Sequence, residues 1–116
     1  MDINELDKSE PHSLAETIEY LPNCIVQKTV LRKLNGNVSI MAFEGGIGLV
    51  QQISPFDNFV HVIEGYAQIV IEGSSHLLQS GDGVIIPAHT PNSIKPNGRF
   101  KMIVTTIKSG YEQVSL

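Results

Sequence analysis

From Ile25 onward the chain keeps one rhythm: a short run of β-branched and aliphatic residues, then a turn built from Gly, Asn, Ser or Asp. Ile25–Leu34 and Val38–Phe43 flank "NGN" at Asn35–Asn37, and "EGGIG" breaks the chain at Glu44–Gly48. Val60–Glu64 and Ala67–Ile71 follow, then "EGSS", "HLLQ", "SGDG" and "VIIP" in quick succession. Ser93–Lys95 and Arg99–Ile107 face each other across "PNG", which predicts a hairpin. Runs that recur roughly every ten residues, with no helix between them, restrict the fold to an all-β sandwich or barrel. No repeat is long enough for a propeller or solenoid.

The N-terminus reads differently. Residues 1–11 are polar and acidic and predict a flexible arm, leaving 12–116 as a single barrel domain. "SLAE" at Ser13–Glu16 has the form of a capping box, and Leu14, Ile18 and Leu21 follow at helical spacing. A short amphipathic helix ending before Pro22 is predicted.

In "NFVHVIEG" both alternating sets are partly apolar: Asn58, Val60 and Val62 on one, Phe59, His61 and Ile63 on the other. A lone barrel buries only one face of such a strand. The other must be covered by the N-terminal segment or by a second copy of the chain, and a two-fold homodimer is the simpler arrangement.

Charge excludes several partners. Six of the twelve acids (Asp2, Glu5, Asp7, Glu10, Glu16 and Glu19) lie in the first nineteen residues, and the net charge is −4. With no basic stripe to neutralise phosphates, nucleic acid is not an expected partner. No apolar run is long enough to cross a membrane, and no charged-then-apolar leader is present. Cys24 is the single cysteine, so no internal disulfide can form, and together these features predict a cytoplasmic location; the thiol itself is expected buried and inert.

Two stretches resemble the conserved motifs of the cupins. "VHVIEGYAQIVIEG" is similar to the first motif, and "SGDGVIIPAHTPNSIKPNG" to the second, with Gly81, Asp82 and Pro87 in register. The resemblance covers Ser54–Gly98 and implies a cupin-like double-stranded β-helix, a jelly-roll barrel of the small RmlC-like, cupin 2 kind. In typical cupins two histidines and an acid in the first motif, and a histidine closing the second, hold a metal. Those positions fall here on Gln52, Ser54, Asn58 and Asn92, and the glycine after the motif's proline is His89.

Neutral amide and hydroxyl oxygens are weak ligands for transition ions, and no anionic ligand balances the charge. No metal and no other cofactor is therefore expected. Side-chain amides do pair well with hydroxyls, carboxamides or carboxylates. The implied site is a polar pocket lined by Gln52, Ser54, Asn58 and Asn92, with His89 at the mouth and Phe56 beside it. His61, out of phase with Asn58, is expected to face away from the cavity. His76 reads as a solvated strand residue.

No nucleophile elbow or phosphate-cradling loop is present. The expected function is a metal-free cupin binding a small polar molecule, a sugar, carboxylate or similar, in a sensory or regulatory role. The alternative is a cupin enzyme, an isomerase, epimerase or weak-metal oxygenase type, using His89 and the pocket amides. A third reading makes the acidic arm a contact for another protein.

Overall fold

A computed structural model describes residues 5–95 and 98–108. Among these, nine strands form: β1 (Ile25–Lys33), β2 (Gly36–Phe43), β3 (Leu49–Gln52), β4 (Asp57–Glu64), β5 (Tyr66–Ile71), β6 (Ser74–Gln79), β7 (Gly83–Ile86), β8 (Asn92–Ile94) and β9 (Phe100–Ile107). They make a five-stranded sheet in the order β1-β2-β9-β4-β7 and a four-stranded sheet in the order β3-β8-β5-β6. All pairings are antiparallel. The two sheets face each other as a jelly roll over one core, in which Phe43, Val62, Ile69, Phe100 and Met102 are buried.

Local chemistry accounts for the hairpins. β5 returns as β6 across Glu72 and Gly73, whose φ values of 48° and 83° supply the left-handed pair that a tight hairpin needs. β1 returns as β2 across Leu34 and Asn35, slightly before the turn expected at Asn35–Asn37. Gly36 instead opens β2, because β9 passes so close that a Cβ there would strike the Thr106 carbonyl.

The predicted hairpin between Ser93–Lys95 and Arg99–Ile107 does not form. β8 pairs with β3 and β5, whereas β9 pairs with β2 and β4. By changing layers, the chain lets Ile94 and Met102 enter the same core from opposite sheets. Of the expected turn, Pro96 and Asn97 lie outside the described residues.

The predicted helix is also absent. Only Leu14–Glu16 forms a single 3-10 turn, and the Ser13 side chain makes no capping bond. Thr17, Ile18 and Tyr20 are poor helix formers, and one turn does not repay nucleation. Tertiary donors take the carbonyls instead: Lys28 Nζ donates to Thr17 O (3.4 Å) and Lys101 Nζ to Ala15 O. Ile18, only 4% exposed, packs on Ile40 and Ala42 of the outer sheet face. The N-terminal segment thus covers part of the face left open by the barrel. Ahead of it, Leu6 N–H donates to Val30 O (3.2 Å) and Arg32 N–H to a Glu5 carboxylate oxygen (2.6 Å), shielding the edge of β1.

Cys24, expected buried, is exposed. It ends a turn in which its N–H donates to Leu21 O (3.1 Å), just before β1 begins, so its side chain never reaches the core.

Tyr20 fastens this segment. Its hydroxyl donates to Glu64 Oε2 (2.6 Å), while Arg99 and Lys101 lie 4.6 and 4.7 Å from its ring centroid. Burial first, and then the Glu64 hydrogen bond, push the hydroxyl pKa above the ordinary tyrosine range. A raised folded-state pKa favours the protonated form. Its contribution to stability is therefore complete below the unfolded value of about 10 and is lost as pH rises beyond it. Tyr20→Phe is expected to lower stability by about 1.5 kcal/mol at pH 7. In denaturant titrations above pH 10, the variant should lose less stability than the native chain; parallel curves would show that Tyr20 is not the titrating group.

Candidate functional site

Between the sheets lies a cavity of about 300 Å³, lined by side chains from β1, β2, β3, β4, β7, β8 and β9 and from the loop after β3. Met41, Val60, Ile86, Ile94, Met102 and Val104 form its apolar floor. Gln52, Ser54, Asn58 and Asn92 all line it, so the four positions singled out in the sequence come together. Strand alternation explains Asn58, which shares the inward face of β4 with the buried Val60 and Val62.

Each of these groups has local partners. Asn58 Oδ1 accepts from Thr106 Oγ1 (2.5 Å), across the β4–β9 pairing that sets the two residues opposite one another. Asn58 Nδ2 donates to Phe56 O (3.3 Å). Ser54 Oγ accepts from Phe56 N–H (3.1 Å) and donates to Phe56 O (3.2 Å), a closed turn before β4. Asn92 Nδ2 donates to Thr90 O (3.0 Å) and Gln52 O (3.3 Å), tying β8 to the end of β3.

Two of the predicted site residues do not line the cavity. His89 is exposed, and its N–H donates to Ser54 O (2.6 Å). Its φ of 62° is left-handed, which accounts for the glycine that the resembling motif places there. The Phe56 ring is half-buried with Lys108 Nζ 5.5 Å from its centroid, and its backbone N–H and C=O bind Ser54 and Asn58. Asp57, adjacent to Asn58, accepts from Ala88 N–H (2.8 Å) and pins the His89 loop. Asp82 accepts from Gln79 N–H (2.9 Å), a turn brace rather than a ligand. His61 lies on the outer face opposite Ile103, and His76 is exposed on β6.

Gln27 on β1 joins the lining and was missed in the sequence. Its signal was a polar residue in phase with Ile25, opposite Met41. Its Nε2 donates to Ser39 Oγ (3.4 Å).

A transition-metal ion does not fit this donor set. The polar lining consists of Gln27, Gln52, Ser54, Asn58 and Asn92, with neither imidazole nor carboxylate. No group of three His, Cys, Asp or Glu side chains converges among the described residues.

Two antiparallel sheets enclosing a cavity rimmed by amides define a jelly-roll barrel of the cupin class. No family model matches the chain, and no curated protein matches it by sequence. Solved structures do. A cupin superfamily protein from Desulfitobacterium hafniense is 25% identical with a TM-score of 0.82, covering 89% of this chain and 94% of its own. A cupin 2 conserved barrel domain protein from Leptotrichia buccalis is 30% identical with a TM-score of 0.79, over 84% of this chain and 47% of that longer one. A conserved Streptococcus pyogenes protein of unknown function shares the fold at 18% identity and a TM-score of 0.84, over 93% of this chain and 95% of that one. By these neighbours the chain is a small cupin-superfamily protein of the RmlC-like, cupin 2 barrel kind. No helix among the described residues is long and apolar enough to cross a membrane.

Proposed function

We propose that this chain is a binding or sensing cupin that takes a small polar molecule into its amide-rimmed cavity without a metal. The observation that carries this reading is the meeting of Gln27, Gln52, Ser54, Asn58 and Asn92 over an apolar floor in one hollow of about 300 Å³. That combination of a shaped apolar wall and a few directed polar groups is what small-molecule sites require. The enzymatic alternative draws no support from His89, which is exposed and absent from the lining.

Thermal-shift screening with sugars, nucleosides, lactams and carboxylates tests the proposal. A ligand at a hundred times its Kd adds about 2.7 kcal/mol, a rise in Tm on the order of 10 °C for a chain of this size. Val104→Phe, which fills the floor, should abolish the shift. The reading fails if nothing in the panel raises Tm, or if the filled variant responds as well as the native chain.

A homodimer through the outer face of the larger sheet completes the proposal. Phe59, Ile85 and Ile107 stand 43%, 63% and 48% exposed there. Phe59 lies directly between Ile85 and Thr105 in the pairing, an uncharged strip that a second copy meets without like-charge repulsion. Light scattering of Phe59→Asp should report a monomer if this face joins the two copies.

A further inference from the structure

The hydrogen bonds already made around the cavity determine which ones remain for a ligand. Asn92 Nδ2 has two carbonyl oxygens within reach, Thr90 O and Gln52 O, and its two hydrogens are spent on them. A flipped amide would set Oδ1 against both carbonyls, so the orientation is determined and Oδ1 is left as an acceptor. Asn58 is fixed in the same way by Phe56 O on its nitrogen and the Thr106 hydroxyl on its oxygen. Ser54 has both donated and accepted. Gln27 meets the Ser39 hydroxyl, which can donate or accept, so in either orientation its amide keeps both an N–H and an oxygen lone pair for a ligand.

The lining therefore keeps acceptors, chiefly Asn92 Oδ1, beside donors, the second N–H of the Asn58 amide and a free N–H on Gln27. No Lys, Arg, His, Asp or Glu is among the lining residues. A carboxylate or phosphate entering here would find no counter-charge, and it would lose its hydration against Met41, Met102, Val60 and Ile86. An ammonium would find acceptors but no anion to balance it. A molecule that is polar all round would leave its far side unpaired on the floor.

From this we infer that the cavity selects an uncharged molecule that both donates and accepts hydrogen bonds along one edge and carries an apolar body behind it, such as a primary amide or a lactam, and rejects ions. The inference rests on reading the cavity as a binding site and narrows the ligand class of that site.

Two of the three methionines, Met41 and Met102, line the cavity, so their ¹³C-labelled methyl groups report occupancy directly by NMR. The full chain is titrated with four molecules built on one ring: benzamide, methyl benzoate, benzoate and benzylammonium. Benzamide should bind most tightly, with methyl benzoate, which accepts but cannot donate, weaker on the order of tenfold. Benzoate and benzylammonium should be weaker still. Asn92→Leu should close the gap between benzamide and methyl benzoate. If that variant does not fold, Gln27→Leu, which breaks only the bond to Ser39, should narrow the same gap. Benzoate, benzylammonium or methyl benzoate binding as tightly as benzamide, with both methyl signals moving, overturns the selectivity while leaving the binding site intact. Both methyl signals staying still with all four molecules removes the site and the selectivity together.

Discussion

With Gln52→His, Ser54→His, Asn58→Glu and Asn92→His introduced together, the cavity is expected to bind Zn²⁺ or Ni²⁺ with a micromolar Kd or tighter, about 8 kcal/mol of affinity. The native side chains at these positions line one hollow, so three imidazoles and a carboxylate placed there would face a common centre. The new glutamate brings the negative charge that the native rim lacks, and Thr106 Oγ1, which now donates to Asn58, is placed to donate to it instead. Isothermal titration of the fourfold variant against the native chain gives the answer, with the threefold variant that keeps Asn92 as control. Removing that fourth ligand should weaken binding at least about tenfold. Equal, negligible heats from all three chains would mean that the four side chains share a cavity wall without sharing a point, and the alignment with the metal motifs would fall.

Phe100→Ala is expected to cost about 3–5 kcal/mol of folding stability. Phe100 and Phe43 are opposite one another in the β2–β9 pairing, and their rings stack with centroids 4.5 Å apart at 11°. Both are fully buried, so truncation opens a void between layers that cannot close around it. Gly65 compounds the constraint: at φ 74° its Cα approaches so closely that a Cβ would lie 2.6 Å from Arg99 O, which leaves the start of β9 no room to shift. Phe59→Ala on the outer face should cost about 1 kcal/mol or less in the monomer. Chemical denaturation of the two variants separates the cases. Similar losses for both would mean that the outer face carries as much burial as the core.

These paired phenylalanines show how far residue order alone reaches. Phe43, Phe59 and Phe100 are equally large and apolar, yet alternation had already placed Phe59 out of phase with Val60 and Val62. The same alternation put Asn58 inward and His61 outward, and both stand as it required. Where a feature depends on the side chain next along the strand, or on a turn of two residues such as Glu72–Gly73, it was legible. The bends at Gly65 and Gly81 were legible too, because a left-handed backbone is a local property that glycine marks.

What failed depends on distant partners. "SLAE" has the letters of a helix start, but Lys28 and Lys101, from far along the chain, claim the carbonyls that a helix would have used. Ser93–Lys95 and Arg99–Ile107 have the letters of a hairpin, but each found its neighbours in a different sheet. His89 stood at the expected loop, and the left-handed backbone there set its side chain in solvent.

By itself, then, the order of residues determined the class of fold and the inward and outward faces of β4, and it set neutral polar side chains at Gln52, Ser54, Asn58 and Asn92. Only the tertiary structure decided which strands pair, that Gln27 joins the rim, and which amide atoms stay uncommitted. The division follows from range: alternation and turn geometry are set within a few residues, whereas a hydrogen bond such as that between Thr106 and Asn58 exists only after residues 48 apart in sequence have been brought side by side.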